Sequence, residues 1–148
     1  VGECAPELAL PAADGSMWSL AAQENRVVLV QFSAAWCGTC QQQAPLHEQM
    51  FAEFRDAGFL PVTVLKGDAN FDAPTAEDAA AWKDHFAISH PVVFDESRTA
   101  WRAWKRDVGS LPQLFLVDGQ GAIRWRTIGM YDEDAFRDAV ERELKRLV

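Results

Sequence analysis

Two cysteines separated by two residues carry the strongest chemical signal in this sequence. Cys37 and Cys40 bracket Gly38 and Thr39, directly after an apolar run that is typical of a buried strand. A helix beginning at Cys37 would place that thiol among free backbone N–H groups and at the positive end of the helix dipole. Such an environment can lower a thiol pKa to roughly 3.5–7.5. The spacing therefore predicts a redox-active dithiol in which Cys37 attacks and Cys40 resolves.

The separation of one helical turn indicates what the pair can do together. Cys40 can reach back to Cys37, so the pair can attack a substrate disulfide, form a mixed disulfide and release the product by internal attack. Gly38 and Thr39 are small and uncharged. We therefore expect the sulfur of Cys37 to be accessible.

Two other interpretations of the C-x-x-C spacing stay open at this point. One is half of a zinc site, but structural zinc takes four ligands and no second Cys or His pair stands at ligand spacing. His85 and His90 are isolated from any cysteine in the sequence. The other is a purely structural disulfide, although a helix start after a buried strand favours reactivity. We accordingly expect neither a metal nor an organic cofactor.

The elements that position the pair follow from hydrophobic periodicity and turn signals. Residues 27–32 are apolar apart from Gln31, as expected for a strand buried on both faces. Thr75 and Asp78 have the spacing of a capping box that begins a helix. We predict two short strands within 8–20, strands at 27–32, 61–65, 91–94, 113–117 and 122–127, and helices at 37–55, 75–86, 98–107 and from 132. This alternation predicts one α/β domain over residues 1–148, with a central mixed sheet flanked by helices.

Composition and charge narrow the classes of partner. The 148 residues, 49% of them hydrophobic, suit one domain with a sizeable core. A formal net charge of −8 disfavours nucleic acid, whose recognition needs clustered Lys and Arg. No segment is long and apolar enough to span a membrane, and no secretory signal begins the chain, as is also expected of a mature exported protein. Cys4 is left over from the pair, and we expect it to be a small buried hydrophobic residue.

Motifs far from the cysteine pair add a second signal. A Leu-Pro pair and a Phe-Leu-Val-Asp-x-x-Gly pattern follow it, and together with C-x-x-C they are far more specific than C-x-x-C alone. The segments concerned are Ala5-Pro6, Asp14-Gly15, Ala35 to Cys40 with Pro45, Pro91 to Asp95, Ser110-Leu111-Pro112, Phe115 to Asp118 and Gly121. Over nearly its whole length the chain resembles the TlpA/ResA-like branch of the thioredoxin-fold thiol–disulfide oxidoreductases. The resemblance implies a thioredoxin-like fold with an N-terminal hairpin and an inserted strand–helix unit.

The resemblance also implies roles for residues around the pair. Pro112 is then preceded by a cis peptide bond and lies against the cysteines, while the backbone at Leu111 beside it docks an extended substrate strand. Trp36 is expected to shield the pair.

Two positions depart from the family pattern. Relatives resembling this chain carry carboxylates six residues before the first cysteine and three residues after the second, where Gln31 and Gln43 stand here. Those carboxylates handle protons, whereas an amide cannot titrate. We therefore expect Cys40 to be deprotonated through water or by the leaving thiolate.

The resemblance implies an enzyme that exchanges protein disulfides, usually as a reductant, and depends on an upstream redox partner, while Gly38 and Thr39 do not fix the direction of exchange. Family members are mostly exported or membrane-tethered in bacteria, which implies the periplasm or an extracytoplasmic membrane face, with a tether possible outside this chain; we expect a monomer. Two alternatives stay open. A thiol peroxidase needs Thr or Ser three residues before its reactive cysteine, where Ala34 stands. A non-catalytic interaction module would keep the pair as a structural disulfide.

Overall fold

The computed structural model describes residues 2–106 and 109–147, which form a hairpin followed by a five-stranded mixed sheet. The hairpin pairs β1 (Ala9–Pro11) with β2 (Met17–Ser19), and the sheet contains β3 (Val27–Ser33), β4 (Phe59–Leu65), β5 (Val92–Phe94), β6 (Gln113–Val117) and β7 (Ile123–Ile128). The strand order is β5–β4–β3–β6–β7. Neighbours among β3, β4 and β5 run parallel, whereas β6 and β7 make antiparallel pairs. The predicted mixed sheet is confirmed.

Within the described part of the chain, four α-helices cover the two faces of this sheet. They are α1 (Gly38–Phe54), α2 (Ala76–His85), α3 (Thr99–Trp104) and α4 (Glu133–Lys145), with a 3-10 turn at Arg55–Ala57. Met50 of α1 and Phe136 of α4 pack on one face. Trp101 and Trp104 of α3 pack on the other face, together with residues around the hairpin. α2 and β5 form the inserted helix–strand unit beside β4.

β3 is the centre of the core because all seven of its residues are buried. Successive side chains of a strand point to opposite faces. Val27 and Leu29 accordingly pack with α1 and α4, whereas Phe32 packs with α3. The Phe32 ring lies 5.5 Å from the Trp101 ring between centroids. Packing on both faces fixes the carboxyl end of β3, and the cysteine pair follows from that end.

Two predicted element ends are wrong. The helix predicted over 98–107 ends at Trp104, because Lys105 leaves helical geometry with ψ 148°; Asp107 lies outside the described residues. β4 begins at Phe59 rather than at residue 61. Gly58, with φ 109°, ends the preceding 3-10 turn and lets the chain enter the sheet at once.

Cys4 is exposed and free, so the expectation that it is buried is wrong. The N-terminal segment pairs with the start of β7 through a bridge between Cys4 and Ala122, and Ala5 donates its N–H to the carbonyl of Gly121 at 2.9 Å. The segment therefore lies at an edge of the structure, where backbone pairing leaves the Cys4 side chain in solvent.

The capping box of α2 yields a stability prediction. Thr75 Oγ1 accepts the N–H of Asp78 at 3.2 Å, and Asp78 Oδ2 accepts the N–H of Thr75 at 2.8 Å. Thr75→Ala removes one acceptor and should lower the free energy of unfolding by about 1 kcal/mol, measured by urea denaturation. Thr75→Ser keeps the hydroxyl and should stay close to the original stability; equal stability of all three proteins would contradict the role of the cap.

Candidate active site

The cysteine pair lies at the turn from β3 into α1. Cys37 is the N-cap residue of α1, with φ −86° and ψ 107°, and its Sγ accepts the N–H of Cys40 at 3.2 Å. The two cysteines form a disulfide, and their Cα atoms are 5.3 Å apart. In the reduced protein a thiolate on Cys37 would meet the same N–H and the same helix start. The geometry therefore favours the charged form of Cys37.

The disulfide is less exposed than the sequence predicts. Cys37 is 5% exposed and Cys40 is 3% exposed, so the expectation of an accessible Cys37 is wrong for this oxidised form. Gly38 is exposed and Thr39 is half-buried, but these small residues do not leave Cys37 exposed. The pair packs into an apolar cluster whose other buried members are Ala34, Ala44, Leu65, Ala79, Trp82, Ile88 and Val92. Packing of α2 and β5 beside the helix start accounts for the low exposure.

Trp36 forms one rim of the site. Its ring packs against the cluster that contains both cysteines and stacks on Phe71, with 4.7 Å between ring centroids. Lys66 Nζ lies 5.7 Å from the centre of the same ring. Burial lowers the pKa of Lys66, and neighbouring cations act in the same direction. A Cβ at Gly67 would lie 3.1 Å from Trp36 Nε1, so a glycine permits this close approach.

The Leu111–Pro112 segment lies next to the same cluster. The bond between the two residues is cis, as the resemblance implies. Leu111 packs against the cluster that contains the cysteines, and Pro112 is buried. The Pro112 carbonyl accepts the N–H of Gly129 at 2.8 Å, and the Gly129 carbonyl accepts Nε2–H of Gln43 at 3.1 Å. These bonds connect the Pro112 loop to α1 one turn beyond Cys40.

Gln43 is buried with half of its amide unpaired. The side chain is 7% exposed, and Oε1 has no hydrogen-bond partner among the described residues. Residues three apart on a helix are neighbours on its surface, so Gln43 shares a face of α1 with Cys40. The site therefore holds a neutral acceptor where the family pattern given in the sequence analysis has a carboxylate.

Gln31 leads into a chain of buried polar groups that the sequence analysis missed. Its Nε2–H donates to Thr63 Oγ1 at 2.7 Å, and Thr63 Oγ1 lies 3.2 Å from His90 Nε2. His90 Nδ1 is 2.8 Å from Glu48 Oε1. Thr63 is the cross-strand partner of Gln31, and it is the one hydroxyl in the fully buried β4. That hydroxyl is a signal in the sequence, but only strand pairing shows that it meets Gln31.

Two histidines are buried in this half of the molecule. His47 Nε2 lies 2.6 Å from the hydroxyl of Tyr131, whose pKa is raised by burial. Burial lowers the pKa of His47 to about 3. Burial also lowers the pKa of His90 to about 4, although the hydrogen bond with Glu48 opposes the shift. Both rings are therefore neutral at pH 7.

The described residues, 2–106 and 109–147, offer no competing metal site. No group of three His, Cys, Asp or Glu side chains among them is arranged to hold a metal ion. None of the helices in this part of the chain is both long and apolar enough to cross a membrane. A cavity of about 700 Å³ lies near the amino end of β3 and the turn after β6, bordered by Leu8, Leu20, Val28 and Val117. Neither Cys37 nor Cys40 lines this cavity, so the cavity is separate from the redox site.

Comparison with known sequences places the whole chain among redox proteins. A sequence profile of the AhpC/TSA family matches residues 1–126. The thiol-disulfide oxidoreductase ResA of Geobacillus kaustophilus is 24% identical over 148 residues, which cover 99% of this chain and 78% of that protein. The resemblance drawn from the sequence motifs is thereby confirmed.

Solved structures agree in fold over almost the full length. A protein of Chlorobium tepidum, described as a candidate thiol:disulfide interchange protein DsbE, superposes with a TM-score of 0.83 at 28% identity, covering 97% of this chain and 96% of that one. Peroxidoxin BcpB of Mycobacterium tuberculosis has a TM-score of 0.76 at 17% identity, covering 99% and 97%. At that identity the likeness to the peroxidoxin concerns the fold alone.

The two buried histidines predict how stability depends on pH. A histidine whose pKa is about 6.5 unfolded and 3 to 4 folded binds more protons when unfolded, so stability falls as pH drops below about 6.5. At pH 5 the loss should be about 2 kcal/mol for each histidine relative to pH 7. Chemical denaturation of the oxidised protein between pH 7 and pH 5 measures this slope. His47→Gln should flatten it, while His85→Gln, at an exposed position, should not; unchanged stability from pH 7 to pH 5 would contradict the assignment.

The amide at Gln43 predicts a simple titration of the attacking thiol. Alkylation of Cys37 in the reduced protein should follow a single pKa, since Gln43 carries no charge that couples to it. Gln43→Glu introduces a like charge on the same helix face, so it should raise the Cys37 pKa by about one unit and add a second, coupled step. Gln42→Glu, at an exposed position, is the matched control and should change the pKa of Cys37 far less than Gln43→Glu does. Two coupled steps in the unmodified protein would reveal an unidentified acid in the site.

Proposed function

This chain belongs to the AhpC/TSA family and is a thiol–disulfide oxidoreductase of thioredoxin-like fold, and we propose that it acts as a reductant of protein disulfides. The observation that carries the exchange chemistry is the helix N-cap position of Cys37, with Cys40 bonded to it one turn later, and the reducing direction is proposed from the family resemblance. This is the arrangement in which one thiol is activated and the other is held ready to resolve.

The first step is an attack by Cys37 on a substrate disulfide. The Cys37 thiolate, stabilised by the N–H of Cys40 and by the start of α1, forms a bond to one substrate sulfur. The bond between the two substrate sulfurs breaks, and the other substrate sulfur leaves as a thiolate that takes up a proton. A mixed disulfide between Cys37 and the substrate is left.

The second step returns the pair to the disulfide seen in the structure. The Cys40 thiolate attacks Cys37 Sγ, and the second substrate sulfur leaves as a thiol after protonation. Two electrons have then passed from the dithiol to the substrate disulfide, and two thiols of the substrate are formed. An upstream dithiol must reduce the Cys37–Cys40 disulfide before the next turnover.

Deprotonation of Cys40 is the step in which this site departs from its relatives. Cys40 is buried, and burial disfavours the charged thiolate. Gln43 Oε1, an acceptor without a partner on the same helix face, can accept a hydrogen bond from the Cys40 thiol but cannot take its proton. We infer that the proton passes to water or to the leaving substrate thiolate.

Peroxidase activity is the second candidate, because BcpB, which is named a peroxidoxin, shares the fold. Activation of a peroxide needs a hydroxyl three residues before the reactive cysteine, and Ala34 supplies none there. Ala34 is fully buried, and its carbonyl accepts the N–H of Cys37 at 3.0 Å. The missing hydroxyl favours disulfide exchange, and consumption of hydrogen peroxide by the reduced protein measures the alternative directly.

Protein substrates and an extracytoplasmic location complete the proposal. The Leu111–Pro112 segment beside the cysteines is proposed to dock an extended strand of the substrate. The similarity to ResA and DsbE supports export to the periplasm or to an extracytoplasmic membrane face, where protein disulfides form.

The order of attack predicts which single variant traps substrates. Cys40→Ser removes the resolving thiol, so mixed disulfides with protein substrates should accumulate on a non-reducing gel. Cys37→Ser removes the attacking thiol and should accumulate few or none. Cys4→Ser is the matched control, because Cys4 is the exposed third cysteine, and it should leave exchange unchanged. Trapping by Cys37→Ser in place of Cys40→Ser would reverse the assignment.

A further inference from the structure

We propose that the stacked rings of Trp36 and Phe71, here called the aromatic ledge, bind an apolar side chain of a polypeptide substrate close to the cysteine that Cys37 attacks. The inference rests on the proposed function, because it concerns the substrates of the same site. It assigns to Phe71, a residue outside every motif of the sequence, a role in choosing those substrates.

The aromatic ledge borders the reactive disulfide. Trp36 directly precedes Cys37 and packs against the apolar cluster that contains both cysteines. Phe71 stacks on Trp36 with 4.7 Å between centroids and 22° between ring planes. Phe71 nevertheless remains 67% exposed. A large apolar surface therefore faces solvent beside the bond that reacts.

The backbone of Phe71 adopts a conformation that phenylalanine rarely takes. Its φ is +67°, in the left-handed region where the Cβ of an L-residue is crowded. A glycine would adopt this conformation without strain. Two features of Phe71 therefore lower the stability of the folded protein: its left-handed backbone conformation and the exposure of its apolar ring to water. Such strained positions concentrate at sites that bind ligands, where the surrounding structure enforces them.

The surrounding structure does enforce this conformation. Arg98 donates from Nε to the carbonyl of Lys66 at 2.9 Å and from Nη2 to the carbonyl of Phe71 at 3.3 Å. Asp68 Oδ1 accepts two backbone N–H groups of the same loop at 2.8 and 2.9 Å. The ring is thus presented in a fixed position before any substrate arrives, and preorganisation of this kind strengthens binding.

The occupant that fits the aromatic ledge is an apolar, preferably aromatic, side chain of an extended segment. Aromatic rings pair favourably in offset or edge-to-face geometry, which an exposed Phe71 can accept from a substrate ring. Lys66 and Arg98 border the same two rings as the exposed Asp72, so the local charge of the aromatic ledge is mixed. The substrate class is a cysteine-containing polypeptide with an aromatic residue near the cysteine.

Two matched peptides test this inference. Each carries a disulfide-linked reporter on one cysteine, and they differ in having Phe or Ser beside it. The unmodified protein should reduce the Phe peptide with the higher kcat/KM, and Phe71→Ala should lower that value about 5- to 30-fold. The rates with the Ser peptide and with oxidised glutathione should stay within about twofold in Phe71→Ala, since neither substrate offers a large apolar side chain to Phe71.

Two backbone variants separate docking from stability. Phe71→Gly should lose the preference for the Phe peptide while melting at a higher temperature than Phe71→Ala, because glycine relieves the left-handed strain. Ala87→Gly is the control, since exposed Ala87 also has a positive φ, +52°. It should keep the peptide preference unchanged.

Binding without exchange distinguishes failure of the aromatic ledge from failure of the proposed function. A Phe peptide with Ser in place of Cys is titrated into the oxidised protein, and the NMR shifts of Trp36 Nε1–H and the Phe71 ring are followed. The proposal expects saturable shifts that Phe71→Ala weakens, whether or not the reduced protein exchanges disulfides. Equal kcat/KM for the two peptides, equal losses for both in Phe71→Ala, or binding unaffected by Phe71→Ala would each overturn it.

Discussion

The contact between the sulfur of Cys37 and the first N–H groups of α1 is the interaction on which the rest of this structure depends. Cys37 caps α1 through the N–H of Cys40, and this contact exists only if the end of β3 and the start of α1 are held in one geometry. β3 is buried on both faces, and the turn after it is closed by the hydrogen bond from the Cys37 N–H to the Ala34 carbonyl. Apolar packing around a central strand thus supplies the rigidity that a polar, reactive sulfur requires.

Four buried polar side chains behind the pair carry no charge at pH 7. Gln43 and Gln31 are amides that carry no charge, and His47 and His90 are uncharged because burial opposes their protonation. A buried carboxylate would change its charge, and hence its effect on the thiols, over the working pH range. Amides keep the same hydrogen bonds at every pH. The titration of the site is thereby left to the thiols themselves.

Disulfide exchange and peroxide reduction are carried by the same fold, and the local groups around Cys37 decide between them. Exchange needs a second thiol one helical turn away and a surface on which a polypeptide can lie. This chain has the second thiol at Cys40 and apolar residues on two sides of it, Trp36 and Leu111. It has a methyl group at Ala34 where peroxide chemistry needs a hydroxyl. Cys37 and Cys40 are almost fully buried, and the aromatic ledge adds an exposed part to that apolar surface.

The order of strands and helices, the mixed sheet and the position of Cys37 at a helix start could be predicted from the sequence, because period and turn residues are local properties. The cis peptide bond before Pro112 was predicted from the family resemblance carried by motifs far from the cysteines. Contacts between residues far apart in the chain were decided only by the tertiary structure. Thr63 meets Gln31 through strand pairing, and Phe71 meets Trp36 because Arg98 holds a loop that follows another strand. The sequence analysis wrongly predicted a buried Cys4 and an accessible Cys37, and both errors have the same cause. Solvent access depends on what packs against a residue, and the whole fold decides that packing.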